Sequence, residues 1–410
     1  MAVVGALFIH IGMSLYAGST IFKEFFGIDV LYSIVIISAV TALYTVLGGL
    51  KAVVVTESIQ TVLLLVGAVA VTVFAMIALG DQGVDSYASF KEKLPERHMS
   101  MLHPSGGLSW YAVFLGYPVL GIWYWCADQT IVQRVLGAKT QRDAQIGPIF
   151  AGFIKILPVF LMVLPGVMAV VLFRDKIGEN NNAALPVLIG ELIPVGLKGL
   201  ITAGLLAALM STIAGALNST ATLVSIDIIK KLRPDAPDRL LVQSGRITAV
   251  VVMVLAMLWS TQGDKFKSIF TGVNAMIACL APPITAVFVW GVFWPRGNQQ
   301  GSLVTLIGGF LLGALIFTFD FPLIGDTKVV TDEWGIPFMM QAWWLFVICS
   351  AIFIITSLLT PPPREEQTKD LCWKHPLAAL TSDPISGMGD ARVLSGILTA
   401  AMVALYWFFA

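Results

Sequence analysis

Eleven apolar stretches, each long enough to form a membrane-spanning helix, follow one another along this chain. A helix that crosses the hydrocarbon core of a bilayer needs about 20 mostly apolar residues. The stretches lie at residues 2–22, 29–50, 53–80, 108–133, 147–173, 194–228, 241–261, 267–293, 301–319, 337–359 and 391–409. This pattern predicts an all-α membrane protein with about 11 transmembrane helices.

The composition points to the same class of protein. Of the 410 residues, 57% are hydrophobic and only 12% are charged, whereas a soluble domain carries roughly 25% charged residues. The 25 basic and 25 acidic residues cancel, so no nucleic-acid partner is indicated. The four cysteines are scattered, and no CxxC motif, histidine cluster or nucleophile–base pair stands out. We therefore expect no organic cofactor and no enzyme activity.

The basic residues are divided unequally between the loops on the two sides of the membrane. Alternating spans put 14 of them on one side and 10 on the other. The larger set lies in short loops at span ends, where the positive-inside rule applies. We therefore expect that set in the cytoplasm, with the N-terminus inside and the C-terminus outside. The same alternation places the loop 81–107 outside the cell and the linker 360–390 in the cytoplasm. The membrane is then a plasma membrane or a bacterial inner membrane.

A few ionisable side chains lie within the spans, and such residues are candidates for function. Glu57 opens the third span, Lys155 lies about two turns into the fifth, and Asp128 is expected at a break in the fourth. Structural explanations also exist. A carboxylate in a first turn favours the helix dipole, and a lysine near an interface can extend its amine to water.

The segment 203–222 contains a set of closely spaced oxygen donors. Ala208, Ser211 and Thr212 stand at i, i+3 and i+4, and so they share one helix face. Two hydroxyls and a carbonyl at this spacing can supply three oxygens to a hard cation such as sodium. Small residues are also the usual packing residues between membrane helices, and spacing alone favours that explanation.

Proline and glycine occur inside two spans, as Pro118 with Gly121 and as Pro282–Pro283. Transporters place substrate and ion sites at discontinuous helices, where unwound backbone exposes polar groups. A simple helix kink explains these residues equally well.

Five sequence blocks resemble the sodium:solute symporter family, and most of all its sodium/glucose cotransporter branch. The blocks are LYTVLGGLKAVVVTESIQTVLLLVGA (43–68), WYWCADQTIVQRVLGAK (123–139), KILPVFLMVLPG (155–166), LAALMSTIAGALNSTATLVSIDI (206–228) and APPITAVFVWGVFWPRGNQQGS (281–302). The resemblance implies a LeuT-type fold made of two inverted repeats. It places core helices 3–5 of the first repeat at 1–80, an extracellular loop at 81–107, the second repeat (core helices 6–10) at 108–295, and accessory helices at 296–410.

For the ion, the resemblance implies a role for each matching position. Ala208, Ser211 and Thr212 would bind Na+, the coupling ion, with the alanine using its backbone carbonyl. Glu57 stands where the family usually has aspartate, on the exit path of sodium. The segment 2–22 matches the third core helix of a family that usually has fourteen spans. Three N-terminal helices are therefore expected to be missing from these 410 residues, including the one that completes the sodium site.

For the substrate, the resemblance implies binding by Tyr124, Lys155 and Asn274, with Tyr124 and Trp125 forming a gate. Three positions depart from the sugar-transporter pattern. Gly121 replaces a polar residue, Thr271 replaces an acidic residue, and Asn274 is one methylene shorter than the usual glutamine. A sugar or polyol is therefore expected, without a commitment to glucose.

The expected function is sodium-coupled symport of a sugar or related polyol by alternating access. The bilayer and the small solute are then the partners, and a monomer is compatible with the sequence. Two alternatives remain open. One is a sodium symporter of another small solute, such as myo-inositol, a nucleoside or a carboxylate. The other is a non-transporting sensor or the remnant of a truncated gene.

Overall fold

The computed structural model describes residues 2–178, 181–265, 268–320, 328–369, 371–373, 378–381 and 387–410, and these residues are almost entirely helical. The α-helices are α1 Ala2–Phe26, α2 Val30–Asp81, α3 Tyr87–Glu92, α4 Trp110–Cys126, α5 Gln129–Leu136, α6 Gln141–Ile154, α7 Leu164–Ile177, α8 Ala184–Leu192, α9 Val195–Thr222, α10 Asp238–Ser260, α11 Ile269–Phe293, α12 Gln299–Asp320, α13 Phe338–Leu359, α14 Glu365–Thr368, α15 Ala378–Thr381 and α16 Ala391–Phe408. Segments of π-helix occupy Val159–Val163, Leu223–Lys230 and Val329–Glu333, and short 3-10 helices occupy Asn181–Ala183 and Gly263–Lys265.

Nine segments among the described residues are long and apolar enough to cross a membrane. They are Val30–Gly48, Val53–Asp81, Gln141–Ile177, Val195–Lys230, Asp238–Ser260, Ile269–Phe293, Gln299–Asp320, Phe338–Leu359 and Ala391–Phe408. Their outer faces are apolar, with Leu47, Val195 and Trp407 exposed by 69%, 87% and 84%, as lipid-facing side chains are. The all-α membrane class is confirmed, while the count of eleven spans stays a prediction.

The backbone forms two compact units. The first contains residues 3–99 and 154–273, and the second contains residues 100–153 and 274–410. The two units are defined by contacts between residues, and this division does not test the predicted inverted repeats. The predicted repeat boundaries at 1–80 and 108–295 therefore remain predictions.

Helix α9 packs against α2 in the first unit. A Cβ atom on Gly67 would lie 3.2 Å from Ile201, and one on Gly204 would lie 3.7 Å from Leu63. Residue numbers therefore fall along α2 as they rise along α9. The part of α2 that begins at Val53 runs antiparallel to α9.

The earlier part of α2 runs the other way. A Cβ on Gly18 would contact both Ile37 and Leu209, and the Tyr44 hydroxyl reaches the Met210 carbonyl. Thr45 lies with Asn218 at one cavity farther along both helices. Here the residue numbers rise together, so Val30–Gly48 runs parallel to α9. The two parts of α2 are thus separate membrane-spanning segments, as the two apolar stretches 29–50 and 53–80 predict.

Glycines let helices approach closely in the second unit. A Cβ on Gly116 of α4 would collide with the Met339 carbonyl of α13, and a Cβ on Gly313 of α12 would collide with the Cys279 carbonyl of α11. Small residues at such crossings bring the backbones into van der Waals contact, which drives association in lipid.

The fourth span is interrupted as Asp128 suggested, and not at its proline. Helix α4 is continuous through Pro118 and Gly121 and ends at Cys126. Asp128 then caps α5, accepting a 2.7 Å hydrogen bond from the Thr130 amide. Helix α11 likewise continues through Pro282 and Pro283. Transmembrane helices tolerate proline because neighbouring groups satisfy the freed carbonyls.

The stretch 360–390 is only partly described. Part of this stretch lies outside the described residues, at 370, 374–377 and 382–386. The linker therefore stays a prediction there. The described part includes two one-turn helices, α14 and α15.

Candidate sodium and substrate sites

Three oxygen atoms predicted to bind sodium lie together on α9. The Ser211 hydroxyl donates to the Ala208 carbonyl at 2.9 Å, and the Thr212 hydroxyl donates to the same carbonyl at 3.1 Å. Ala208 and Ser211 are half-buried and Thr212 is exposed. A hydroxyl that donates its proton keeps its lone pairs as acceptors, so the face can present oxygen to a cation.

Bonds from a hydroxyl to the carbonyl one turn earlier also occur elsewhere on α9. Thr202 donates to Lys198 at 2.9 Å, and Thr220 donates to Ala216 at 2.9 Å. Such bonds are common for serine and threonine in helices. Thr202 and Thr220 are buried, however. The Ala208 carbonyl differs because it accepts two hydroxyls and lies on an accessible face.

A tyrosine links α9 to α2. The Tyr44 hydroxyl donates to the carbonyl of Met210 at 2.9 Å. The Glu57 carboxylate is half-buried and close enough to Tyr44 for an electrostatic interaction with its hydroxyl. Glu57 and the Met210 carbonyl of α9 therefore both lie near Tyr44, within the first unit. The sequence analysis did not single out Tyr44, although a tyrosine inside a span usually needs a hydrogen-bond partner.

Lys155 lies at an irregularity of the backbone in the first unit. Helix α6 ends at Ile154, and the π-helix Val159–Val163 begins four residues after Lys155. The lysine side chain is exposed. Insertions of π-helix are frequent at functional sites. The sequence signal for this irregularity is Pro158, which directly precedes the π-helix.

The other predicted substrate residues belong to the second unit. Tyr124 and Trp125 are half-buried in the last turn of α4, with their rings edge to face at 5.4 Å between centroids. Asn274 is half-buried near the start of α11. A Cβ on Gly121 would meet no other atom within 4 Å, so the neighbourhood of Tyr124 is open on that side.

Many apolar helices, with hydroxyls and a carboxylate within them, define a multi-pass membrane protein. The fold is LeuT-like by its similarity to a solved structure of a sodium-coupled symporter. Residues 1–309 match the model of the sodium:solute symporter family. The chain belongs to this family.

Several sodium cotransporters are similar to the chain. It is 36% identical over 408 residues to sodium/mannose cotransporter SLC5A10 of Bos taurus, covering 90% of this chain and 68% of that protein. It is 32% identical over 403 residues to sodium/myo-inositol cotransporter 2 of Homo sapiens, covering 90% and 60%. It is 31% identical over 414 residues to sodium/glucose cotransporter 1 of Ovis aries, covering 91% and 62%. The chain thus spans 60% to 68% of the length of these relatives.

A solved structure shares the fold. It is described as the substrate-bound outward-open state of a Na+-coupled sialic acid symporter with a novel Na+ site. The TM-score is 0.69 at 21% identity, covering 88% of this chain and 74% of that one.

Proposed function

We propose that this protein moves a sugar or related polyol across the cell membrane together with sodium, by alternating access. Membership of the sodium:solute symporter family supports this proposal. The observation that carries it is the pair of hydroxyls, Ser211 and Thr212, that share the Ala208 carbonyl on an accessible face of α9. A neutral oxygen cluster inside a membrane helix bundle suits a monovalent hard cation. We propose that the Glu57 carboxylate of α2 lies on the exit path of sodium, where its charge would favour the passage of a cation.

Sodium supplies the free energy for transport in this proposal. One unit charge that moves fully across a potential of 100 mV contributes roughly 2.3 kcal/mol. That free energy corresponds to a concentration ratio of roughly fiftyfold for the coupled solute. Coupling requires that sodium binding raise the affinity for the solute, and by linkage the solute raises the affinity for sodium equally.

The substrate residues have chemistry that suits a polyhydroxylated ring. The Tyr124 ring offers an apolar face, the Lys155 amine offers three hydrogen-bond donors, and the Asn274 amide offers donors and an acceptor. The similar proteins are named for mannose, myo-inositol and glucose. We propose these three residues as substrate contacts and Tyr124 with Trp125 as the gate.

A carboxylate substrate is the second candidate. It is favoured by the exposed Lys155 side chain at the backbone irregularity between α6 and the π-helix Val159–Val163, because an ammonium group would pair with an anion. The structure with the shared fold is of a sialic acid symporter. A nucleoside symporter or a non-transporting sensor would have the same fold. The first would take up a nucleoside with sodium, and the second would take up no solute, so measurements of uptake would tell them apart.

The sodium site is tested by uptake into vesicles that contain the full-length protein. We expect labelled mannose, myo-inositol or glucose to enter only when sodium, and not choline, is the external cation. The double variant Ser211→Ala, Thr212→Val should raise the sodium concentration for half-maximal uptake at least about fivefold, since the two lost ligands together remove roughly 1–3 kcal/mol. The matched control is Thr202→Val, which removes a back-bonded hydroxyl elsewhere on α9. Unchanged sodium dependence in the double variant would refute the site.

The two substrate classes are separated by Lys155→Gln. For a polyol, the glutamine keeps a donor, so the Michaelis constant should rise modestly. For a carboxylate such as sialic acid, loss of the charge should abolish sodium-driven uptake. No sodium-driven uptake of any of these solutes by the unaltered protein would favour a sensor.

A further inference from the structure

Two prolines interrupt the hydrogen bonding of the backbone that follows Lys155. Pro158 directly precedes the π-helix Val159–Val163, and Pro165 lies in the first turn of α7. In regular α-helical bonding, the Leu161 carbonyl would accept from the amide four residues later. That residue is Pro165, which has no N–H. The Leu161 carbonyl therefore lacks its α-helical donor.

A threonine of a neighbouring helix donates to this carbonyl. The Thr72 hydroxyl of α2 shares its proton between the Ala68 carbonyl of its own helix, at 2.8 Å, and the Leu161 carbonyl, at 3.3 Å. Thr72 is only 8% exposed, and polar groups at such a depth usually have a protein partner. The longer arm of this three-centre bond joins α2 to the π-helix.

The part of α2 that carries Thr72 is closely packed within the first unit. Helix α2 contacts both the π-helix and α7. Val71 and Ala75, on either side of Thr72 along the chain, belong to one buried apolar cluster with Met168 and Ala169 of α7. Protein interiors packed in this way have little free volume. Thr72 therefore has a fixed position relative to the π-helix.

The π-helix determines the direction in which Lys155 points. One additional residue in a helical turn rotates the preceding segment by about 100° and displaces it by about 1.5 Å, compared with an uninterrupted α-helix. Lys155 lies in that preceding segment, in a two-residue turn at 155–156. The Val159 amide connects this turn to the π-helix by donating to the Ile156 carbonyl at 3.1 Å.

We propose that Thr72 is a positioning residue for Lys155. Its hydroxyl stabilises the π-helix by donating to the Leu161 carbonyl, and the π-helix sets the direction of the lysine side chain. This inference rests on the proposed contact between Lys155 and the solute. Without the hydroxyl, other arrangements of the turn become populated. The apparent affinity for the solute then falls in proportion to the fraction of molecules that present Lys155 correctly.

Uptake by the full-length protein in vesicles tests the effect on the solute. The labelled probe is mannose, myo-inositol, glucose or sialic acid, whichever enters with sodium. Thr72→Val removes the hydroxyl at nearly constant volume, and we expect the Michaelis constant for the probe to rise about two- to tenfold, the range for one hydrogen bond. The maximal rate and the sodium concentration for half-maximal uptake should hardly change. Thr72→Ser keeps the hydroxyl and should restore the Michaelis constant. Equal defects in both variants would overturn the proposal.

Combination with Lys155→Gln separates positioning from general damage. If Thr72 acts through the lysine, Thr72→Val should not raise the Michaelis constant further once residue 155 is glutamine. The same factor in both backgrounds would contradict the proposal. The matched control is Thr202→Val, which removes a buried hydroxyl that bonds within its own helix and should leave the Michaelis constant unchanged.

Thiol labelling tests the geometry without transport, and it decides the question if Lys155→Gln abolishes uptake. Lys155→Cys is made in a full-length protein with Cys126 and Cys372 replaced by serine, and its reaction with a maleimide is followed in detergent. Adding Thr72→Val should change the labelling rate at least about threefold, whereas Thr72→Ser should not change it. An unchanged rate with Thr72→Val would overturn the proposal. A changed rate, with uptake unaffected by Lys155→Gln, would refute the solute contact and retain the positioning by Thr72.

Discussion

Tyr44 joins two helices through a single hydroxyl, and Tyr44→Phe removes that group alone. The Met210 carbonyl would lose its 2.9 Å donor, so we expect a loss of about 0.5–1.5 kcal/mol in the free energy of unfolding. The measurement is chemical unfolding of the protein in detergent. Tyr32→Phe on the same helix is the control, because Tyr32 is 69% exposed. Equal losses in the two variants would show that the bond to Met210 is not the cause.

Asp128 starts the short helix α5 near the end of the predicted span 108–133. Its carboxylate is 1% exposed and accepts hydrogen bonds from the Thr130 amide and hydroxyl, both at 2.7 Å. We expect Asp128→Ala to cost about 1 kcal/mol, the usual value of a lost N-cap. Asp128→Asn keeps an acceptor and should cost less. Thermal unfolding of the two variants side by side tests this order, and the reverse order would contradict the capping role.

At the residue level, the sequence was sufficient to identify the polar side chains that lie within the predicted membrane spans. Glu57 and the hydroxyls of Ser211 and Thr212 were recognisable because oxygen atoms are costly inside a span. Tyr44 was not recognisable. Its importance comes from the Met210 carbonyl that faces it on α9, and a single sequence carries no record of contacts between distant segments.

At the level of helices, close packing on glycine decides how α4 and α13 meet. Gly116→Ala would push a methyl group into the Met339 carbonyl, which cannot move without shifting the helix backbone. We expect a loss of about 1–3 kcal/mol. Gly121→Ala, on the same helix, places the same methyl group where no atom lies within 4 Å, and stability should hardly change. Denaturation of both variants tests the difference, and similar stabilities would disprove the close approach.

Helix positions were more predictable than helix breaks. Hydropathy reflects the solvent around a span, so the stretches 29–50 and 53–80 correspond to Val30–Gly48 and Val53–Asp81. A break and a simple kink were equally expected at Pro118 and at Pro282, and the helices continue through both prolines. Apart from the π-helix that Pro158 precedes, the π-helices were not predictable, because an extra residue in a helical turn needs no particular composition. It forms where the packing of neighbours favours it.

At the level of the whole molecule, the orientation in the membrane is a prediction that chemical labelling can test. Lys91→Cys places a thiol in the loop 81–107, and Lys231→Cys places one at the end of the Leu223–Lys230 segment. The native Cys126 and Cys372, which are at least partly exposed, are first replaced by serine. In intact cells, a membrane-impermeant maleimide should label the first variant alone. Labelling of only the second variant would invert the topology derived from the positive-inside rule.

In the proposed sodium site, the Ala208 carbonyl already accepts two hydroxyl protons on α9, so ion binding there would be a replacement reaction. A cation can reach this carbonyl only if Ser211 or Thr212 turns its proton elsewhere. Each bond given up costs roughly 0.5–1.5 kcal/mol, and that cost is subtracted from the affinity of the ion. A coupling ion must leave the protein on every cycle, so a site whose own ligands compete for one carbonyl favours fast release over tight retention.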